Sequence, residues 1–213
     1  MILAADWVAV SAVVTAAATL VLAVATFFSV RSAARTARAT ERSLLAGLQP
    51  LLMPSRPDDP PQKVGFMDNK WFHVPGNSGV AEASDEVVYL AIAVRNVGNG
   101  IAVLHGWHFQ GEAYSGRDPH PPLEDFEPLS RDLYIAPDEV GFWQGTYRDR
   151  TDPEFVNARE AIEEPRRFAI DVLYGDHELG QRSVTRFALN PRDDGGWIAT
   201  VSRHWNVDRP DPR

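Results

Sequence analysis

Two short stretches of the chain hold residues able to do chemistry. In HGWH, His105 and His108 stand three apart; in YGDHELG, Asp176, His177 and Glu178 are consecutive. Imidazoles and carboxylates are the groups of general acid–base catalysis and of divalent-metal coordination. The spacing argues against both uses. Side chains alternate along a strand, so residues three apart face opposite sides, and one ion does not readily take both histidines unless a bulge intervenes. His105 shares a face with Val103 and Trp107 and reads as a hydrogen-bonded core histidine. Adjacent residues in a turn point apart, so Asp176, His177 and Glu178 read as a solvated hairpin loop. The chain has no Gly-x-x-x-x-Gly-Lys-Ser/Thr loop, no His-Glu-x-x-His helix and no Gly-x-Ser-x-Gly elbow, and PGNSGV reads as a turn. It has no cysteine, which excludes disulfides, thiolate metal sites and a cysteine nucleophile, and which fits a reducing compartment. No catalytic, cofactor or metal residue is expected. The five residues above are kept as candidates for the alternative, a small hydrolase or metal-dependent enzyme.

The elements that hold these stretches read as strands. In VVYLAIAVRNV, Val88, Leu90, Ile92 and Val94 fall on one face and Tyr89, Ala91, Ala93 and Arg95 on the other. A strand apolar on nearly both faces is central to a sheet. After the GNG turn at 98–100, Ile101, Val103, Trp107 and Phe109 alternate onto one face of IAVLHGWHFQ. DLYIA, VGFWQGTYR, RFAIDVLYG, RSVTRFALN and WIATVSRHW are further strands, with GDHELGQ and PRDDGG as hairpin connections. One helix interrupts them: TDPEFVNAREAIEEP offers Asp152 as cap, Pro153 at the first position, Pro165 as stop, and Phe155, Ala158 and Ile162 as its apolar face. Short antiparallel strands at this spacing predict a mainly β sandwich over residues 63–205, with a polar tail at 206–213. Trp71, Trp107, Trp143, Trp197 and Trp205 are assigned to its core. The segment 111–130 is long for a loop, proline-rich and acidic, with Tyr114, Leu123, Phe126 and Leu129 able to make contacts.

Ahead of the domain, Trp7 to Val30 contains no charged residue. As a helix these roughly two dozen residues span about 36 Å, against about 30 Å of bilayer hydrocarbon. Asp6 before the run and the length of the run argue against a cleaved signal peptide. Arg31, Arg35, Arg38 and Arg42 follow at spacings that place them on one face of a continuing helix, which Gly47 and Pro50 end. Positive residues flanking a spanning helix favour the cytoplasmic side, so these four arginines predict an external N-terminus and a cytoplasmic domain. Ser11, Thr15, Thr19 and Ala23 form a small-residue stripe that would permit pairing with a second copy within lipid. PSRPDDPPQ places a proline-rich linker at 50–62, so the membrane and basic helical segment occupies residues 1–49.

Charge narrows the partners. The total is −8. Residues 1–49 hold four arginines against Asp6 and Glu41, a net of +2, which leaves −10 on the remainder. An acidic domain is a poor nucleic-acid binder, because phosphate contacts dominate that affinity. The expected contacts are membrane lipid, through the helix, and an unidentified protein.

The anchor with its basic collar, RNVGNGIAVLHGWH, DLYIAPDEVGFWQG and VLYGDHELGQRSVTRFAL together resemble a group of uncharacterised single-pass bacterial membrane proteins. The resemblance covers most of the chain. It implies an immunoglobulin-like or fibronectin-like sandwich behind one membrane helix, and it carries no activity and no catalytic residues. The function expected is that of a membrane-anchored binding module, with the enzyme above and a helper subunit of a membrane complex as alternatives.

Overall fold

The computed structural model describes residues 2–111, 118–178 and 180–208, and it divides into two units, Met1–Ala46 and Gly47–Arg213. The first is a single helix, α1, Ile2–Gly47. No proline or glycine interrupts it before Gly47, so it runs on through the arginines. Its 46 residues extend about 69 Å at 1.5 Å per residue. The stretch Val10–Leu45 is long and apolar enough to cross a membrane. Thr15, Thr19 and Thr26 each bond the carbonyl four residues back, at 2.8 Å, so these three hydroxyls are satisfied within the helix. Arg31, Arg35 and Arg38 are exposed on this helix; the side chain of Arg42 lies outside the described residues.

The second unit is mainly β. Its strands are β1 (Leu52–Pro54), β2 (Gln62–Gly65), β3 (Trp71–Val74), β4 (Ser78–Ala83), β5 (Val88–Asn96), β6 (Ala102–Gln110), β7 (Glu127–Ile135), β8 (Val140–Tyr147), β9 (Phe168–Gly175), β10 (Arg182–Pro191) and β11 (Trp197–Asn206). Between β8 and β9 lies α2, Pro153–Glu163. All the pairings are antiparallel. β5 is central, as its two-faced pattern requires. One of its edges pairs with β8 throughout; the other pairs first with β4 and then with β1. From β4 the sheet continues through β11, β10, β9 and β6 to β7. The result is one curled sheet, a half-barrel, with β2 and β3 as a separate hairpin. It does not divide into the two stacked sheets expected of a sandwich. β-Bulges, which bend and twist strands, lie at His105 in β6 and at Ser202 in β11, opposite Arg186 of β10.

The curl encloses one main core. Val88, Leu90, Ile92 and Val94 of β5 meet Trp107, Phe109, Trp143, Phe168, Phe187 and Trp197 there. The other face of β5, through Tyr89, Ala91 and Ala93, packs under the β2–β3 hairpin with Val64, Phe66 and Val74. α2 starts as predicted: the Asp152 carboxylate accepts from Glu154 N at 2.8 Å, Pro153 follows, and Phe155, Ala158 and Ala161 are buried in the main core. Four of the five domain tryptophans are core residues; Trp71 is the exception, 55% exposed with Lys63 Nζ 4.7 Å from its ring centroid.

Residues 50–62 are not an extended spacer throughout. β1 lies within them, Leu52 is fully buried, and Ser55 N donates to Ala93 O. Asn96, fully buried, fastens this entry. Its amide oxygen accepts from Leu51 N and Gly98 N, and its amide nitrogen donates to the carbonyls of Gly100 and Ile135. Gly100 is required here because a Cβ would lie 1.7 Å from Leu48 O. The expected polar tail also begins ordered: β11 reaches Asn206, and Asp208 accepts from Arg182 backbone and guanidinium. Within the long segment 111–130, Leu123 and Phe126 pack on Leu173, Val184 and Trp205, and β7 begins at Glu127. Tyr114 lies outside the described residues.

Candidate functional site

The bulge at His105 corrects the face assignment in β6. Before it, Ala102 and Leu104 point into the core; after it, Trp107 and Phe109 do, while Val103, His105 and His108 are only half-buried. An extra residue at position 105 resets the alternation, so Val103 and Trp107 no longer share a face. The imidazole of His105 nevertheless faces protein. Its Nε2 has no accessible surface and no hydrogen-bond partner among the described residues, and it would stand 3.1 Å from a Cβ at Gly175. The expected hydrogen bond is therefore missing at that nitrogen.

Burial pushes the His105 imidazole below the ordinary 6.5, and Arg182 adds to the effect, while Asp132 and Asp176 oppose it. The unfolded chain thus binds a proton at His105 more readily than the folded one does. Its contribution to stability is full above about pH 6.5 and declines as the pH falls below that value. His105→Gln should flatten the pH dependence of the urea midpoint between pH 7 and 5, with the native chain losing more stability on acidification. Equal slopes would show that the imidazole is solvated in the folded state.

Asp176, His177 and Glu178 form the β9–β10 turn, as expected. Asp176 is the exception to solvation: it is 1% exposed. Its carboxylate accepts from Glu178 N at 3.1 Å, Gly180 N at 2.9 Å and Gln181 Nε2 at 3.3 Å. These bonds make it the organiser of the turn. His177 and Glu178 are exposed. The fold brings His105 beside Gly175 at the start of this turn, but His108 lies elsewhere, opposite Asp171 in the β6–β9 ladder. Among the described residues no three His, Asp or Glu side chains are grouped to hold a metal ion.

His108 lines a cleft of about 460 Å³ between the end of β6 and α2, with Gln110, Asp118, Glu154, Asn157 and Arg166. Its Nδ1 is 3.2 Å from Gln110 Nε2. None of the other four candidates reaches this cleft. A hydroxyl–imidazole pair occurs inside the domain, with Thr185 Oγ1 3.0 Å from His204 Nδ1 and 2.9 Å from the Tyr174 hydroxyl. Thr185 and Tyr174 are fully buried, and His204 is half-buried. The Tyr174 hydroxyl accepts from Leu52 N at 3.1 Å, which makes the group a polar fastening for β1, and burial pushes the phenol up to about 12.

Two arrangements were not anticipated. The first is a fully buried bidentate pair: Arg186 Nε and Nη2 each donate to the Asp171 carboxylate at 2.7 Å. The guanidinium also lies 4.9 Å from the Trp205 ring centroid and donates to the carbonyls of Asp118 and Pro119, which cover it. The second is a seam. β7 and β8 are joined by the turn 136–139, yet no ladder connects them; β7 pairs only with β6, and β8 only with β5. β7 bulges away at Leu129–Asp132, which have no partners in β6, and Arg131 reaches across to Gln144 Oε1 at 2.7 Å. A niche of about 260 Å³ opens between the strands under the β2–β3 turn. The chain matches no known family model, no characterised protein and no solved structure.

Proposed function

We propose that this chain is a membrane-tethered binding module that contacts a protein partner at the β7–β8 seam. The observation that carries the reading is the pair of unpaired sheet edges facing each other across a niche. Open edges are where proteins accept other chains, unless they are blunted. Here Pro128, the bulge and Arg131 partly blunt β7, while Gln144 and Thr146 of β8 remain at the opening. The apolar helix supports the tether, because confinement to a membrane raises the effective concentration toward partners held there. In this reading the domain is cytoplasmic, and the arginines after the helix support that side, since positive residues flanking a span favour it. The same reading takes the chain as kin to the single-pass membrane proteins with immunoglobulin-like domains that its motifs resemble. The small-residue stripe of α1 would let two anchors pair.

One pair of thiol variants tests the reading, because the native chain has no cysteine. Ser130→Cys stands at the lip of the seam and Asp194→Cys in the exposed β10–β11 turn. In sealed cells both should resist a membrane-impermeant maleimide and react once the cells are opened. Carrying a photo-cross-linker, Ser130→Cys should give a defined protein adduct that Asp194→Cys does not. Labelling of either thiol in intact cells would reverse the orientation, and identical adducts from the two sites would remove the seam as the contact surface.

A further inference from the structure

Two aromatic rings line the seam niche, Phe66 and Trp107. Behind them in the core, Trp107 stands edge-on to Trp143 at 5.2 Å and lies 4.8 Å from the Tyr147 ring. Gly145 lets the two indoles meet the strand, since a Cβ there would lie 2.8 Å from Trp143 and 2.9 Å from Trp107. Glu127 stands at the same niche, half-buried, with the Tyr147 hydroxyl beside its carboxyl. No cation pairs with Glu127 among the described residues. The ionised groups acting on it are Asp152 and Glu154, both acidic, and burial raises its carboxyl above the ordinary value. The guanidinium at the niche, Arg148, is held by Asp68 at 3.0 Å, and Arg131 is spent on Gln144 and the face of Phe142.

A partly desolvated carboxyl without a counter-ion gains when a cation reaches it, and aromatic walls favour the same charge. The volume suits one extended side chain. We propose that the niche receives a primary alkylammonium group, held between Glu127 and the Trp107 and Phe66 rings and presented as a lysine side chain of the partner. This deepens the binding-module reading and rests on it.

The test uses the full chain in lipid nanodiscs, with indole fluorescence as the readout. n-Butylammonium should produce a saturable change that n-butanol does not. The capped peptide Gly-Lys-Gly should bind at least as tightly as n-butylammonium, and its norleucine analogue at least tenfold more weakly. Glu127→Gln preserves shape and should weaken n-butylammonium at least tenfold. Amide shifts in the native chain, expected at 127, 129, 130 and 144–148, keep the test independent of whether that variant folds. Equal responses to amine and alcohol, or shifts confined elsewhere, would overturn the proposal. Binding of the free amine but not of the lysine peptide would overturn the partner side chain as its source. Loss of amine binding with the Ser130 adduct intact sinks this proposal alone, whereas loss of the adduct with amine binding intact sinks the seam as a protein contact.

Discussion

Asp171→Asn should destabilise the domain by about 3–5 kcal/mol, the cost of leaving a buried guanidinium without its carboxylate. Both partners are fully buried and their bidentate geometry is close to ideal at 2.7 Å, so water cannot replace the lost charge without displacing the segment above. That segment offers Arg186 the carbonyl oxygens of Asp118 and Pro119, at 3.4 and 3.3 Å. Chemical denaturation of the full chain measures the loss. Removing both charges, as Asp171→Leu with Arg186→Met, should recover most of it, because an apolar pair carries no desolvation penalty. Part of the gap will remain, since Arg186→Met also gives up the stacking on Trp205. A cost below about 1 kcal/mol for Asp171→Asn would mean that the pair is solvated and that residues 118–126 do not seal it.

The same pair marks how far the sequence could be read. GDHELGQ is legible as a hairpin connection, and pairing Gly175 with Arg182 across it places Asp171 opposite Arg186. One charge in the middle of each of two apolar strands, at matching distance from one turn, is a sign of a buried pair. β5 and α2 were legible because their patterns are local: alternation on two faces in one, a cap and two prolines in the other. His105 was not, because a bulge leaves no mark in composition and one inserted residue inverts every later assignment. β1 was hidden by the prolines around it, although an edge position tolerates proline, and Pro54 occupies one. The seam was out of reach for a different reason. Periodicity tells which residues face the core, but not which strands end a sheet or whether its ends meet. Glu127, within a segment whose composition reads as a loop, becomes a site residue only once β7 and β8 are seen side by side.

The proposed tether, in contrast, depends on transfer energy alone, and Val21→Arg with Val24→Arg should abolish it. Both side chains are exposed on one side of α1, near the middle of the uncharged run. Each arginine at the centre of a spanning helix costs about 2.5–3.5 kcal/mol, so two cost about 5–7 kcal/mol. The nine Val, Leu and Phe residues that remain between Trp7 and Val30 contribute only a few kcal/mol in the opposite sense. The balance therefore changes sign. After an alkaline carbonate wash the native chain should sediment with membranes and the double variant should stay in the supernatant. Thermal unfolding of the β domain should be unchanged, because the core of Gly47–Arg213 contains none of the substituted residues. Substituting Arg31, Arg35 and Arg38 with glutamine should do the reverse: sedimentation is retained, while the thiol at position 130 becomes accessible from both sides of the membrane in a mixed population. If the double variant still sediments after the wash, the apolar run is not what holds the chain to the membrane, and the tether must be sought in the domain itself.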